Sequence, residues 1–130
     1  MRRLLFVLLA VLALSAPPAA MAASWSARMS VPTHRPKAGK KWPLKIVVKN
    51  SHGRRLSGTV QYHFLLGKQV VATRDCHTGN YTAPCRFKHG VYRDVIKWPA
   101  AAEGQRLTFQ AVVRTRLGTK KLDWWVKVRR

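Results

Sequence analysis

Acidic residues are scarce in this chain. Its 130 residues include only 4 Asp+Glu against 25 Lys+Arg, which gives a formal net charge of +21 at pH 7. The acids are far apart, the histidines are isolated, and no nucleophile-elbow, zinc-protease, P-loop or dinucleotide-binding motif occurs. We therefore expect that the protein is not an enzyme and binds no cofactor or metal. The four acids are Asp75, Asp94, Glu103 and Asp123.

Helical periodicity is also absent after the first 22 residues. No later stretch repeats apolar residues at helical spacing over ten residues, and none is apolar enough to cross a bilayer. The hydrophobic fraction of 47% nevertheless excludes a disordered basic tail, because disorder requires low hydrophobicity as well as high charge. At this length we expect a single folded domain.

The first 22 residues have the pattern of a secretory signal peptide. Arg2 and Arg3 give a positive end, an apolar run of eleven residues extends from Leu4 to Leu14, and Ala20-Met21-Ala22 resembles a cleavage site. The run is shorter than the ~20 residues that span a bilayer, which disfavours a retained membrane anchor. We therefore expect cleavage after Ala22 and a secreted, extracytoplasmic domain of residues 23–130. Loss of the two arginines from the 25 basic residues leaves 23 against 4 acids, a charge of +19.

Apolar and polar residues alternate with a period of 2 through the rest of the chain. Trp42 to Val48 and Leu122 to Val128 are the clearest examples. This alternation is typical of half-buried strands in antiparallel sheets, and turn-forming residues separate the segments. Seven short strands with no helix between them predict an all-β sandwich. The predicted strands cover residues 25–31, 42–49, 60–66, 69–74, 91–98, 107–114 and 121–129.

Gly67-Lys68 predicts a two-residue hairpin turn between the third and fourth strands, with glycine at the position that needs a positive φ. An uninterrupted register would then set Phe64 opposite Val71 and Tyr62 opposite Thr73.

Three segments combine turn-forming residues with the start of a predicted strand. They are Pro36 to Leu44, Arg54 to Tyr62, and Trp98-Pro99 with the following Glu103-Gly104. With these segments the chain resembles the Ig-like or fibronectin type III-like domains of secreted bacterial proteins. The antibody-type cysteines and the tryptophan of the third strand are missing. The resemblance implies a seven-stranded antiparallel Ig-like β-sandwich that serves as a scaffold for binding, spacing or adhesion.

The two cysteines, Cys76 and Cys85, predict one disulfide, because an exported protein enters an oxidising environment in which disulfides form and persist. Such a bridge would close a short loop and stabilise the fold by ~2–3 kcal/mol. The alternative is a metal site that also uses His77 and His89, but the CxxC or HxxxH spacing of a zinc module is absent.

The strand pattern also predicts which side chains face solvent. Alternate positions form outward rows of cations, and Trp125 has the opposite parity to Trp124. An exposed indole beside cations suits stacking on a sugar ring or a partner. The alternative is that it packs against an outward neighbour such as Val112 or lies under a loop. The other four tryptophans are expected in the core. The candidate binding surface comprises Lys45, Lys49, Lys121, Trp125, Lys127 and Arg129.

Two functions remain open. The first is a non-catalytic module that binds a protein or glycan at the cell envelope. The alternative is a cationic secreted protein that binds polyanions or acts on membranes through its charge. We expect weak, salt-sensitive binding to anionic polymers, although the same charge also favours solubility. Sequence-specific nucleic-acid recognition has no supporting motif.

Overall fold

A computed structural model describes residues 24–75 and 84–130. Within these ranges the chain forms eight strands and one short 3-10 helix, Ala100–Ala102. Every strand pair is antiparallel, so the predicted all-β antiparallel class is confirmed. The described residues include no helix with the length and hydropathy needed to cross a membrane. The strands are β1 (Trp25–Ser30), β2 (Lys41–Asn50), β3 (Gly58–Leu66), β4 (Gln69–Asp75), β5 (Cys85–Phe87), β6 (Val91–Lys97), β7 (Arg106–Thr115) and β8 (Gly118–Lys127). The predicted signal peptide and its cleavage after Ala22 lie outside the described residues.

The strands form two sheets that pack face to face. One sheet has the order β1-β2-β6, and the other has the order β4-β3-β7-β8 with β5 also paired to β3. The inward side chains of both sheets belong to one core, in which Trp42 of β2 meets Phe109 of β7 edge to face at 5.4 Å. Trp25, Trp42 and Trp98 are buried as predicted, whereas Trp124 is only half-buried. The alternation of apolar and polar residues therefore corresponds to a two-layer structure in which one face of each sheet lies in the core.

The expectation of seven strands was wrong, because β5 is an additional strand. It has only three residues, too few for an alternating pattern to be recognised. Cys85 of β5 lies opposite Val60, and the last residue of β4, Asp75, lies opposite Gln61. β4 and β5 therefore occupy consecutive positions along the same edge of β3.

The register predicted for the β3–β4 hairpin was also wrong beyond its first two pairs. Gly67 has a φ of 61°, and Leu65 pairs with Val70 as an uninterrupted hairpin requires. The register then shifts, so that Phe64 lies opposite Ala72 and Tyr62 opposite Arg74. The shift is a β-bulge, which is common at sheet edges, and β4 is an edge strand with no further neighbour among the described residues to enforce the register.

Candidate binding surface

The structure divides the predicted candidate residues between the two sheets. Lys45 and Lys49 lie at outward positions of β2, in the smaller sheet. Lys121, Trp125 and Lys127 lie at outward positions of β8, in the larger sheet. Arg129 follows β8 and forms an isolated bridge with Lys37. Because the two sheets stack through their inner faces, these residues do not form one continuous surface.

The outer face of the smaller sheet carries a concentration of cations that we call the basic face. Across β2 and β6, Lys45 lies directly opposite Arg93, and Lys41 lies directly opposite Lys97. Like charges at directly opposed positions destabilise a sheet. The outward positions of β1, β2 and β6 include no acidic residue. The basic face consists of Arg28, Lys41, Lys45, Lys49, Arg93 and Lys97.

The regular spacing of the lysines and the depressions between the strands of the basic face suit an extended ligand. Lys41, Lys45 and Lys49 recur every fourth residue, so their Cα atoms are about 13 Å apart along β2. A depression of about 530 Å³ includes Lys45 and Arg93 in its lining, and another of about 270 Å³ includes Arg28 and Lys49. The cations therefore line concave parts of the face rather than standing on a flat sheet.

A buried polar cluster holds β6, and with it Arg93, against the other sheet. Asp94 is 8% exposed, and its Oδ2 accepts hydrogen bonds from the hydroxyls of Tyr62 in β3 at 2.7 Å and Tyr92 at 3.2 Å. Its Oδ1 accepts a third bond from the Val95 amide at 2.7 Å. The cluster therefore ties the two sheets together directly beneath the basic face.

Burial also makes the two hydroxyls of this cluster difficult to ionise. Burial raises the pKa of Tyr62 far above its ordinary value, and the neighbouring Tyr92 and Asp94 raise it further. Burial likewise raises the pKa of Tyr92. The hydrogen bond from Tyr62 partly offsets that increase, and Asp94 adds to it. Both tyrosines are therefore neutral hydrogen-bond donors across the physiological pH range.

Trp125 is more exposed than the other tryptophans but is packed against other side chains. Its side chain is 42% exposed, yet the His34 ring stacks on it at 4.0 Å and the Arg106 guanidinium lies 5.1 Å from its ring centre. His34 also stacks on Trp124 at 4.0 Å, and its Nδ1 donates to the Trp125 carbonyl at 2.7 Å. The loop residue His34 therefore packs on the Trp125 ring, while Trp125 as a whole stays partly exposed to solvent.

The suggested contact between Trp125 and Val112 was wrong. Val112 lies opposite Lys121 and is 1% exposed, whereas Trp125 lies opposite Thr108. No periodic signal marked His34, because it lies in the connection between β1 and β2 and reaches Trp125 only through the tertiary fold.

Polar side chains on the outer face of the larger sheet are linked to one another. Gln110 of β7 donates from Nε2 to Asp123 at 2.8 Å, and its Oε1 accepts from His63 Nδ1 at 3.2 Å. Asp123 thus places a carboxylate among the cations of this face. The larger sheet has the acid that the basic face lacks.

No structural metal site accompanies these surfaces in the described residues, which include no group of three or more His, Cys, Asp or Glu side chains placed to hold an ion. Cys85 begins β5, and Cys76 lies outside the described residues, so the disulfide stays a prediction. The adjacent positions of Asp75 and Cys85 along β3 are compatible with a bridge that closes the segment between them.

Comparisons with known proteins support the fold but not a function. No protein-family model and no curated protein matches the sequence. Domains 4 and 5 of the S-layer protein SbsC are similar in structure, with a TM-score of 0.50 and 17% identity over 83% of this chain. The chain covers about half, 54%, of that structure. A crystallised engineered protein has a TM-score of 0.49 and 14% identity over 81% of this chain and 20% of its own. The likeness to the S-layer domains shows that this chain shares an all-β sandwich fold with them.

Proposed function

We propose that this chain is a secreted, non-catalytic Ig-like module whose basic face binds an anionic polymer of the cell envelope. The observation that carries the proposal is that two cations of β2 lie directly opposite two cations of β6, on a face without acids. The opposed residues are Lys45 and Arg93, and Lys41 and Lys97. A ligand with regularly spaced negative charges relieves the repulsion within both pairs when it binds.

The Ig-like part of the proposal is supported by the strand order. In an Ig-like sandwich, the first two strands share a sheet with a later one, and the third strand shares the other sheet with the last two. The β1-β2-β6 and β4-β3-β7-β8 sheets follow this order, with β4 as the additional strand next to the third. The leader pattern in residues 1–22 supports secretion, and the likeness to S-layer domains is compatible with a location at the envelope.

The chemistry of the face favours a phosphate- or carboxylate-bearing linear polymer over a neutral glycan. Lysine and arginine bind such groups by charge-assisted hydrogen bonds, and the grooves of the face give the polymer a path across the three strands. Trp125, the indole that the sequence offers for stacking on a sugar ring, is already stacked on His34. Charge, and not aromatic stacking, is therefore the expected basis of binding.

The test compares two triple variants that remove the same number of charges. K45Q/K49Q/R93Q neutralises part of the basic face, and K121Q/K127Q/R114Q neutralises exposed cations of the larger sheet. Affinity for a phosphodiester probe, duplex DNA, and for a carboxylate probe, polyglucuronate, is measured against salt. We expect the first variant to bind at least about 10-fold more weakly, with a salt slope on DNA smaller by about 3. The second variant should lose only a few-fold.

Three outcomes would contradict the proposal. Equal losses in the two variants would show that net charge alone drives binding. Tighter binding to anionic vesicles than to either polymer would indicate a membrane-active protein. Binding of envelope fractions that persists at half-molar salt in both variants would favour recognition of a protein or neutral glycan on another surface.

A further inference from the structure

A cavity of about 340 Å³ lies at one side of the sandwich, and its lining includes residues of the edge strands β4 and β6, one from each sheet. Its apolar walls include Phe64 of β3, Val71 of β4 and Leu107 of β7. The buried Trp98 of the core also lines the cavity. Its volume lies within the range of small-molecule pockets, roughly 300–1,000 Å³. This cavity is separate from the grooves of the basic face and shares no lining residue with them.

The cavity walls belong to rigid parts of the fold. Trp98 is 1% exposed and packs edge to face against Phe64 at 5.5 Å and against Trp42 at 5.4 Å. Aromatic pairs in this geometry resist rearrangement, so the cavity does not have to be formed by the ligand. Val71, in contrast, is 52% exposed and leaves apolar surface in contact with water at the cavity. A ligand that covers it gains hydrophobic energy.

The polar groups at the cavity are donors and cations. Arg74 and Lys97 take part in its lining, neither has an ion pair with a described residue, and none of the described residues that line it is acidic. The indole N–H of Trp98 is buried and finds no acceptor among the described residues. A buried donor without a partner is uncommon in folded proteins, and it costs stability unless a ligand or water accepts from it.

We propose that this cavity binds an anionic amphiphile, an alkyl chain that ends in a carboxylate or a phosphate. The chain would occupy the apolar walls beside Phe64, Val71 and Leu107, and the head group would lie at Arg74 and Lys97. This ligand combines the two properties of the cavity, its apolar lining and its uncompensated positive charge. The proposal does not depend on the basic face, since only Lys97 belongs to both surfaces and Arg74 lies on the other sheet.

The direct test is a titration of the protein followed by the indole N–H resonances of its five tryptophans. The probes are decanoate and decyl phosphate, with decanol as the uncharged control and acetate and inorganic phosphate as head groups without a tail. We expect a saturable shift of the Trp98 resonance, identified by its loss in Trp98→Phe. The Trp124 resonance is the internal reference, because its N–H also has no partner among the described residues. Decanol should bind at least about 10-fold more weakly, and the head groups alone should not bind. The two alkyl probes distinguish a free carboxylate ligand from a phosphate ester.

Two pairs of variants separate this site from adsorption to a cationic protein. Val71→Asp and Val71→Lys both place a charged side chain at this exposed position, but with opposite sign. Because the aspartate repels a carboxylate and the lysine attracts it, Val71→Asp should bind decanoate about 10-fold more weakly than Val71→Lys. Arg74→Gln should weaken it about three- to tenfold, and Arg86→Gln, on the same edge of β3, should leave it unchanged. K45Q/K49Q/R93Q should bind decanoate like the unmodified protein, whatever its effect on polymer binding.

Four results would overturn the proposal. Three of them are the absence of a saturable Trp98 shift, an equal shift of all five indole resonances, and equal affinity for decanol and decanoate. Equal effects of Arg74→Gln and Arg86→Gln would also contradict it, because the loss would then follow net charge and not the cavity.

Discussion

Removing the carboxylate of Asp94 is expected to destabilise the protein by about 3 kcal/mol. In Asp94→Ala, the Tyr62 and Tyr92 hydroxyls lose the acceptor that they share at 2.7 and 3.2 Å, and the Val95 amide loses its acceptor at 2.7 Å. Both hydroxyls belong to buried residues. Tyr62 keeps the Tyr92 hydroxyl as an acceptor at 3.4 Å, but Tyr92 is left without an acceptor among the described residues, and a buried donor without a partner costs about 1–3 kcal/mol. The Val95 amide is near solvent and contributes less, because water replaces its partner.

The measurement is urea unfolding followed by tryptophan fluorescence. Urea is preferred because guanidinium chloride would screen the repulsion of a chain with a net charge of +21. Asp123→Ala is the matched control, since it removes one exposed carboxylate and a single hydrogen bond, the one from Gln110, and should cost only about 1 kcal/mol. The triple variant Y62F/Y92F/D94L, which replaces the whole cluster by apolar groups, should be more stable than Asp94→Ala.

A loss of less than about 0.5 kcal/mol in Asp94→Ala, or the same loss in Asp123→Ala, would refute this reasoning. The first result would show that the hydroxyls find other acceptors, and the second would show that only the overall charge matters. If the reasoning holds, Asp94→Ala should also weaken polymer binding while the protein is still folded, because Arg93 follows the position of β6.

Three further predictions concern pH, backbone and covalent structure. The pKa values of Tyr62 and Tyr92 are raised by burial, so the unfolded chain releases these protons first, near pH 10. Stability should therefore fall by up to about 2–3 kcal/mol per pH unit above that value, and Y62F/Y92F should lack this slope in urea unfolding. Gly90→Ala should cost more than about 3 kcal/mol, because a Cβ at φ 67° would meet Arg55 and lie 2.6 Å from the Val48 carbonyl. Gly104→Ala, at a similar φ with open space around it, should cost about 1–2 kcal/mol in thermal unfolding. Cys85→Ser should lower stability by about 2–3 kcal/mol if the predicted bridge to Cys76 forms. Intact mass before and after reduction checks the bridge, and an unchanged mass would contradict it.

The sequence predicted the parts of this fold that depend on local alternation. The outward positions of Lys45 and Lys121 and the inward positions of Trp42 and Val126 follow from strand parity, because successive side chains of a strand point to opposite faces. The hairpin at Gly67 follows from local turn chemistry in the same way. β5 and the bulge beside Val71 did not follow, since a three-residue strand has no measurable period and an edge strand tolerates a register shift.

What the sequence alone determined is the fold class, the uneven charge and the face of each strand that meets solvent. These properties reside in neighbouring residues and need no knowledge of strand order. Only the tertiary structure decided which strands share a sheet. It placed Lys45 opposite Arg93, separated both from Lys121, and brought His34 onto Trp125 from 91 residues away along the chain. Strand pairing is a long-range choice made by the packing of two sheets around one core, and for that reason the binding surfaces could not be derived from parity alone.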